Sequence, residues 1–351
     1  MELSFHDFII QTSQNPTLCI IILLILGVMF VNGLIDAPNS IATCVSTRSI
    51  SPKKALIMSV IFRFLGILVM SILNSTVAQT IYNIVNFGDN STNALVALCA
   101  GLVAIILWSV ITWLLEIPTS QSHALIAGIS GAAIAIQNNL SGINWGEWKK
   151  VIYGLFFSII LSFILGYLIT KIIEKICKNL NRLKTLSFFK KSQVFSGATM
   201  AFMDGAQDGQ KFIGIFLLGI ALANGISNTN NFEIPIWMMV LCSAFMALGI
   251  FIGGHKIIKT VGMKMAKLEP YQGTASDLAG ATCLFMLSMF GIPASTTQTN
   301  TTAIMGVAAS KRISNVNWKL VKNMIITWFI TFPGCGILGY ITTMLFTKIF
   351  I

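Results

Sequence analysis

The chain carries one polar motif twice, as GLIDAPN over residues 33–39 and as GAQDGQK over residues 205–211. Each copy interrupts a long apolar stretch and places one aspartate, Asp36 or Asp208, at its centre. Self-similarity between the two halves of a chain indicates two copies of one structural unit. The motif therefore predicts a fold built from two related halves.

A second duplicated segment supports this division. It reads IPTSQSH over residues 117–123 and IPASTTQ over residues 292–298. The aspartate-to-proline separation is 82 residues in the first half (36 to 118) and 85 in the second (208 to 293). Trp145 and Trp318 extend the match. We therefore divide the chain into a first repeat (1–173), a basic linker (174–193) and a second repeat (194–351).

The composition places both repeats in a membrane. Of the 351 residues, 55% are apolar and only 10% charged, and the mean hydropathy is +0.81. Soluble domains carry roughly 25% charged residues. The first apolar segment lacks the basic flank and the small-residue exit of a cleaved signal, so we expect it to remain as a span.

Apolar runs of about 20 residues mark membrane-spanning helices. Ten candidates occur, two of them short: 18–35, 55–78, 94–115, 123–136, 151–170, 194–223, 234–254, 273–290, 296–308 and 323–347. Five spans per half is an odd number, so the second repeat must enter the membrane from the opposite side. The predicted fold is an all-α polytopic membrane protein of two inverted repeats, with 10–12 helices in total and broken or re-entrant helices at its site.

The distribution of basic residues predicts the orientation. The linker 174–193 carries Lys and Arg against a single Glu, which assigns it to the cytoplasm. Loops 83–93 and 225–233 contain no Lys or Arg and then fall outside. Lys149 and Lys150, also outside, are the exception.

Several classes of function are disfavoured. The net charge of +11 lies in short loops rather than on a basic and aromatic face, which argues against nucleic-acid binding. The seven cysteines are scattered without C-x-x-C spacing, and the three histidines lack a metal-ligand or nucleophile–base pattern. We expect no cofactor and no enzymatic activity.

Asp36 and Asp208 are candidate ligands for a cation. An ionised carboxylate within a membrane span costs about 2.5 kcal/mol or more, so it marks a functional site. A hard monovalent cation such as Na⁺ takes carboxylate, amide and carbonyl oxygens. The alternative is that each Asp only caps a half-helix.

The segments 118–123 and 293–298 are candidate anion sites. Each has an early proline with hydroxyl residues behind it, a pattern typical of a helix start. The free N–H groups and the dipole of a helix N-terminus favour an anion, and two such ends facing each other could enclose a tetrahedral oxyanion. The alternative is that the hydroxyls are ordinary caps or contacts between helices.

Four more polar residues lie in apolar surroundings. Arg63 and Glu116 have no counterparts in the other repeat, and we expect them to form an ion pair, with snorkelling of Arg63 as the alternative. His123 aligns with Gln298, so we expect a structural role rather than proton transfer. Asp277 is a further candidate site residue.

The two duplicated motifs resemble those of the PiT-type inorganic phosphate transporters. Their G-A-N-D-V-A-N-A-like motif is similar to residues 33–40 and 205–212, and their P-x-S-T-T-H-like element to 118–123 and 293–298. The resemblance covers nearly the whole chain. It implies an inverted-repeat fold, usually dimeric, that holds phosphate at the repeat interface and is driven by Na⁺ or H⁺.

The sequence departs from the family pattern at four positions. Ile35 and Gln207 stand where the motif has Asn, Lys211 where it has its last Asn, and Gln298 where His is usual. These departures bear on the choice of ion and the stoichiometry more than on the fold.

Taken together, the motifs predict secondary active import of phosphate by alternating access, coupled to Na⁺ in preference to H⁺. The protein would be a multi-pass plasma-membrane homodimer of prokaryotic type. A sulfate or other oxyanion permease, an anion channel and a membrane receptor are the alternatives. The predicted phosphate ligands are Asn39, Ser120, Gln121, Ser122, Gln210, Lys211, Ser295, Thr296 and Thr297. The predicted coupling-ion ligands are Asp36, Asn39, Gln207 and Asp208, with Na⁺ at the two aspartates.

Overall fold

A computed structural model describes residues 4–88, 90–115, 119–225, 234–258 and 268–351. Within these ranges the chain is helical and contains no β-strand. In the first half the helices are α1 (Phe5–Gln14), α2 (Pro16–Ile35), α3 (Ala42–Ser46), α4 (Pro52–Leu73), α5 (Thr76–Tyr82), α6 (Ser91–Leu114), α7 (Gln121–Gln137) and α8 (Trp145–Cys177). In the second half they are α9 (Arg182–Ala223), α10 (Ile236–Ile258), α11 (Pro270–Met289), α12 (Thr296–Lys311) and α13 (Trp318–Phe350).

Each predicted span coincides with a helix, but one is divided. The span 55–78 is not continuous, because α4 ends at Leu73 and α5 begins at Thr76. Asn74 caps the break, and its side-chain oxygen accepts the backbone N–H of Thr76. The basic segment 174–193 is largely helical, since α8 extends to Cys177 and α9 begins at Arg182.

The α-helix ends at Asp36 in the first repeat but continues through Asp208 in the second. In the first repeat α2 ends at Ile35, and a 3₁₀-helix over Ala37–Ile41 follows. Proline at position 38 has no N–H to continue the α-helix. In the second repeat α9 passes unbroken through Asp208, so Asp208 does not cap a half-helix, which was the alternative for both aspartates. The side chains of Arg63 and Lys211 pair with this carboxylate, so it does not depend on backbone groups of an unwound helix.

The packing repeats between the two halves. In the order of the repeats, α2, α4, α6, α7 and α8 correspond to α9, α10, α11, α12 and α13. The most extensive contacts between the repeats then occur in pairs: α2 packs on α10 as α9 packs on α4, and α7 packs on α13 as α12 packs on α8. The helices of one repeat are thus packed largely against those of the other.

Glycines permit the closest of these crossings. A Cβ on Gly33 would lie 2.1 Å from the carbonyl oxygen of Met246 on α10. At the corresponding crossing of α9 with α4, a Cβ on Gly205 would lie 2.3 Å from the carbonyl oxygen of Arg63. Small residues let membrane helices approach until their backbones touch. The glycine of each motif is therefore the contact point of the helix that carries the aspartate.

The loops predicted for one side of the membrane meet in space. Asn144 donates to the carbonyl oxygen of Asn83 at 3.0 Å, which joins two loops predicted to lie outside. At the other end, the Tyr271 hydroxyl donates to Glu174 at 3.0 Å. The grouping of the loops agrees with the predicted topology.

Six helices of the described residues are long and apolar enough to cross a membrane. They are α2 with its extension to Ser46, α4, α6, α8, α10 and α13. Helices α7, α9, α11 and α12 are not among them. The helix α7 has 17 residues and α12 has 16, which at about 1.5 Å per residue is short of a hydrocarbon core of about 30 Å. Both are almost wholly buried, so the chain is a multi-pass membrane protein with two short helices enclosed by the others.

Candidate functional site

Two helix N-termini, one from each repeat, meet inside the protein. Ser120 caps α7 and accepts the N–H of His123, and Ser295 caps α12 and accepts the N–H of Gln298. The hydroxyl oxygens of Ser120 and Ser295 are 2.8 Å apart. The duplicated hydroxyl segments therefore face each other, as the repeat predicted.

Asp36 links the first motif to both helix starts. One carboxylate oxygen accepts the hydroxyl of Thr297 on α12. The other accepts the backbone N–H of Gln121 at 3.2 Å, in the first turn of α7. The amide nitrogen of Asn39 lies 3.4 Å from the Thr297 hydroxyl. The carboxylate of the first repeat thus binds the hydroxyl segment of the second.

Asp208 occupies the corresponding position in the second repeat. One of its oxygens accepts a hydrogen bond from the Lys211 ammonium at 3.0 Å, and the Thr296 hydroxyl lies 3.4 Å from each of its oxygens. The same ammonium donates to the Ser122 hydroxyl at 2.7 Å and to the carbonyl oxygen of Ala294 at 2.6 Å. Lys211 therefore joins α9 to the starts of both α7 and α12.

Arg63 adds a second buried cation. Its guanidinium lies 3.0 Å from Asp204 and 3.4 Å from Asp208. The side-chain nitrogen of Asn300 on α12 lies 3.4 Å from Asp204. Glu116, the partner predicted for Arg63, lies outside the described residues. Arg63 is thus held by two aspartates one turn apart on α9.

The charges of this centre do not balance. We use the name charged cluster for five buried side chains: Asp36, Arg63, Asp204, Asp208 and Lys211. Three carboxylates face two cations, so the cluster carries one net negative charge when every group is ionised. A buried charge is costly unless it is paired. One further monovalent cation would neutralise the cluster.

Two buried polar atoms beside Asp36 have no hydrogen-bond partner among the described residues. They are the side-chain oxygen of Asn39 and the side-chain nitrogen of Gln121. The other end of the Gln121 amide accepts the Ser109 hydroxyl at 2.6 Å. Buried polar groups are nearly always satisfied. Asn39 therefore has a free acceptor that suits a cation, and Gln121 has a free donor that suits an anion.

Two predicted site residues lie at the edge of this centre. Gln207 donates to the Ser288 hydroxyl at 2.9 Å and accepts the N–H of Ala294 at 3.1 Å. It thereby fixes the turn before α12. Gln210 donates to the carbonyl oxygen of Asn74 at 2.8 Å, at the break between α4 and α5. The side-chain oxygen of Gln210 is buried and has no partner among the described residues. The ligand roles of Gln207 and Gln210 stay predictions.

Asp277 and His123 lie in separate surroundings. Asp277 accepts the Thr43 hydroxyl at 2.6 Å and the Ser196 hydroxyl at 3.2 Å, and so ties α11 to α3 and α9. The His123 ring is buried and stacks on Phe332, with ring centroids 4.7 Å apart. This packing suits the structural role expected for His123.

Sequence reasoning missed Asp204. The residue stands just before the second motif and four positions before Asp208, so the two carboxylates share one face of α9. A charged residue within an apolar helix calls for a partner. Arg63 was the unmatched cation, and this spacing could have identified the pair.

A family model described as "Phosphate transporter family" matches residues 32–339. A "Probable low-affinity inorganic phosphate transporter" of Bacillus subtilis is 37% identical over 331 residues, which cover 94% of this chain and 97% of the relative. A relative of the same name from Rhizobium meliloti is 35% identical and covers 93% and 96%.

One solved structure has the same fold. Described as "The sodium-dependent phosphate transporter", it superposes with a TM-score of 0.86 at 21% identity. The match covers 96% of this chain and 100% of the other. At that identity the likeness establishes the fold alone.

Proposed function

This chain belongs to the phosphate transporter family, and on that premise we propose that it imports inorganic phosphate by cation-coupled secondary transport. The observation that carries the proposal is the meeting of two helix N-termini at Ser120 and Ser295. Helix N-termini offer free N–H groups and a favourable dipole to an anion. Phosphate would bind between α7 and α12, at the interface of the repeats.

The hydroxyls around these ends supply the remaining donors. Ser122 lies in the first turn of α7, and Thr296 and Thr297 lie in the first turn of α12. All are buried. Ser122 accepts from Lys211, so its own O–H can donate to a dehydrated anion in place of water. Thr296 and Thr297 would first have to release Asp208 and Asp36. The free side-chain nitrogen of Gln121 is one more donor on α7.

The carboxylates favour phosphate over sulfate. Phosphate carries at least one P–OH donor near neutral pH, whereas sulfate has only acceptor oxygens. An ionised carboxylate is an acceptor only. Asp36 and Asp208 lie in hydrogen-bond contact with the hydroxyl segments. There a carboxylate could accept a hydrogen bond from the P–OH of phosphate, whereas it would repel sulfate.

A coupled cation offsets two electrostatic costs. The charged cluster is already negative, and phosphate adds to this charge. Movement into an inside-negative cell also costs about 2.3 kcal/mol per negative charge per 100 mV. Na⁺ bound at Asp36 and Asn39 would meet both costs, because the carboxylate and the free amide oxygen are ligands that hard cations take. The solved protein of the same fold is described as sodium-dependent, which supports Na⁺ over H⁺.

Transport requires the site to open on each side in turn. Ser120 and Ser295 are each at most 1% exposed, so the centre is closed to solvent. The crossed packing of the repeats suggests that one rocks against the other, as in other inverted-repeat transporters. The homodimer that the family resemblance implies remains a prediction, which a mass measurement in lipid nanodiscs would test.

The deciding experiment is uptake of ³²P-phosphate into proteoliposomes under an inward Na⁺ gradient, an inward H⁺ gradient or neither. Concentrative uptake under the Na⁺ gradient that excess sulfate leaves intact is the expected result. Uptake driven by H⁺ alone would reassign the ion, and competition by sulfate would reassign the substrate.

Two results would contradict the proposal itself. Downhill phosphate flux without any coupled ion would indicate a channel. Phosphate binding without flux would indicate a receptor. Liposomes with a denatured sample of the same protein are the control for leakage.

A further inference from the structure

We propose that the ammonium of Lys211 permanently occupies the second repeat's cation position, so that only the first repeat takes a coupling ion from solution. This inference rests on the proposed cation coupling. It makes Lys211 the residue that sets the number of ions carried with each phosphate.

The surroundings of Lys211 are those of a bound alkali cation. Its nitrogen is 3.0 Å from a carboxylate oxygen of Asp208, 2.7 Å from the hydroxyl of Ser122 and 2.6 Å from the carbonyl oxygen of Ala294. A lysine ammonium has three N–H donors, and these three acceptors use all of them. The side chain is 1% exposed. A carboxylate, a hydroxyl and a carbonyl are also the oxygen types that a hard cation takes.

The first repeat has the same oxygen types without a tethered cation. Asn39 aligns with Lys211, and Thr297 aligns with Ser122. The Asn39 nitrogen lies 3.4 Å from the Thr297 hydroxyl, the contact that corresponds to Lys211 with Ser122. The Asn39 oxygen is buried and has no partner among the described residues. At the aligned positions 39 and 211, the second repeat therefore has a fixed positive charge where the first has a free oxygen. Asp208 also has Arg63 at 3.4 Å, a contact that Asp36 lacks.

The charge of the cluster agrees with this assignment. Arg63 and Lys211 leave one of its three carboxylates unneutralised. Asp36 is the carboxylate that has no basic partner within 4.0 Å among the described residues. A single monovalent ion beside Asp36 completes the balance, and a second ion at Asp208 would exceed it.

The test replaces the tethered charge with the residue of the first repeat. Wild type and Lys211→Asn are reconstituted in liposomes, and the initial uptake of ²²Na⁺ and ³²P-phosphate is measured together. The expected Na⁺-to-phosphate ratio rises by one in Lys211→Asn. In the double variant Asp208→Asn/Lys211→Asn, which lacks the carboxylate, the ratio should return to the wild-type value.

The membrane potential gives an independent measure. Lys211→Asn would carry one more positive charge per phosphate than wild type. The liposomes are given equal Na⁺ on both sides and an inside-negative potential of 100 mV. Under these conditions Lys211→Asn should accumulate phosphate to a ratio about 50-fold higher than wild type, the factor that corresponds to one elementary charge.

A binding measurement tests the inference even where Lys211→Asn does not transport phosphate. Na⁺ should raise the melting temperature of detergent-solubilised Lys211→Asn more than that of wild type or of the double variant, with choline chloride as the salt control. An unchanged flux ratio in an active Lys211→Asn, or an equal Na⁺ effect on all three melting temperatures, would overturn the inference.

Failure of the proposed function has a different signature. Wild type would then show neither phosphate uptake nor phosphate–phosphate exchange, and the melting temperatures alone would decide the role of Lys211.

Discussion

The hydroxyl oxygens of Ser120 and Ser295 lie 2.8 Å apart, although 175 residues separate them in the sequence. Each caps a helix of a different repeat, so the contact marks the point where the pseudo-symmetric halves meet. A phosphate oxygen bonded to both hydroxyls needs about 2.7 Å to each. The two hydroxyls must therefore exchange their mutual hydrogen bond for bonds to the anion when phosphate binds.

The first prediction concerns these two caps. Ser120→Ala and Ser295→Ala each remove one donor to phosphate, and a hydrogen bond to a charged group contributes about 1.5–3 kcal/mol. We expect the KM for phosphate to rise about 10-fold or more in either variant. Initial rates of ³²P-phosphate uptake across a range of concentrations measure it.

The control for this prediction is a cap outside the site. Asn181 caps the exposed start of α9, where its side chain accepts the N–H of Leu183. Asn181→Ala removes about 1 kcal/mol of helix capping without a change at the repeat interface. An equal rise in KM in Asn181→Ala, or no rise in the serine variants, would contradict phosphate binding at the caps.

The second prediction concerns Asp36. Asp36→Asn removes the proposed charged ligand of the coupling ion but keeps an oxygen for the Thr297 hydroxyl. We expect loss of Na⁺-driven uptake while the protein still folds. Uptake with and without a Na⁺ gradient, together with the melting temperature, measures both effects.

Asp7→Asn is the matched control for Asp36→Asn. It lies exposed in the first turn of α1, so Asp7→Asn changes the same charge outside the bundle. Na⁺-driven uptake that survives in Asp36→Asn would assign the coupling ion elsewhere.

Much of this site could be predicted because its parts are duplicated. The spacing of Asp36 from 117–123 and of Asp208 from 292–298 is visible in the sequence alone, and so is the odd number of spans per half. An odd number forces opposite orientations, and opposite orientations bring the two hydroxyl segments together.

Other features depend on three-dimensional contacts that no periodicity reveals. Asp208 lies within the continuous helix α9, and the side chains of Arg63 and Lys211 pair with its carboxylate there. The contact of Gln207 with the turn at Ala294 spans 87 residues and depends on how α9 packs against α11. Sequence alone thus identified most of the polar residues, though not Asp204, and it did not show which side chains pair with Arg63 and Lys211.

The third prediction concerns the pair of Arg63 and Asp204. Removing one partner leaves a buried charge uncompensated, which costs about 3–5 kcal/mol. Arg63→Met should therefore lower the melting temperature strongly. In Arg63→Met/Asp204→Asn the cluster again has one net negative charge, and we expect a loss smaller than the sum of the single variants.

Arg182→Met is the control for the third prediction, because Arg182 is exposed at the start of α9. Thermal unfolding in detergent gives the melting temperatures of five proteins: wild type, Arg63→Met, Asp204→Asn, the double variant and Arg182→Met. Additive losses in the double variant would mean that the 3.0 Å contact of Arg63 with Asp204 contributes no coupling energy.

The fourth prediction concerns orientation. Cys177 is partly exposed in the basic segment 174–193, which the positive-inside rule assigns to the cytoplasm. A membrane-impermeant maleimide should label Cys177 in inverted vesicles but not in intact cells. In Cys177→Ser/Ser141→Cys the pattern should reverse, because Ser141 is exposed in the loop between α7 and α8 on the opposite side. Labelling of Cys177 in intact cells would mean that the segment 174–193 lies outside and that the assigned topology is reversed.

The fifth prediction concerns the glycine that carries Asp36 into the bundle. An added Cβ at Gly33 would lie 2.1 Å from the carbonyl oxygen of Met246, which is backbone and cannot rotate away. Gly33→Ala should therefore separate α2 from α10, at a cost of about 1–3 kcal/mol or more. Since Asp36 follows three residues later, we also expect uptake to fall.

Gly336→Ala on α13 is the control for Gly33→Ala, because it changes helix propensity in the same way without a close backbone contact. A Cβ added there would lie 3.6 Å from the nearest such atom, the carbonyl oxygen of Ala127, which is ordinary contact. Alanine is favoured over glycine within a helix by about 0.5–1 kcal/mol, so Gly336→Ala should be neutral or stabilising. If melting temperature and phosphate uptake change equally in the two variants, the α2–α10 crossing does not position Asp36. A loss confined to Gly33→Ala would mean that backbone contact between the repeats holds the carboxylate at the two helix starts.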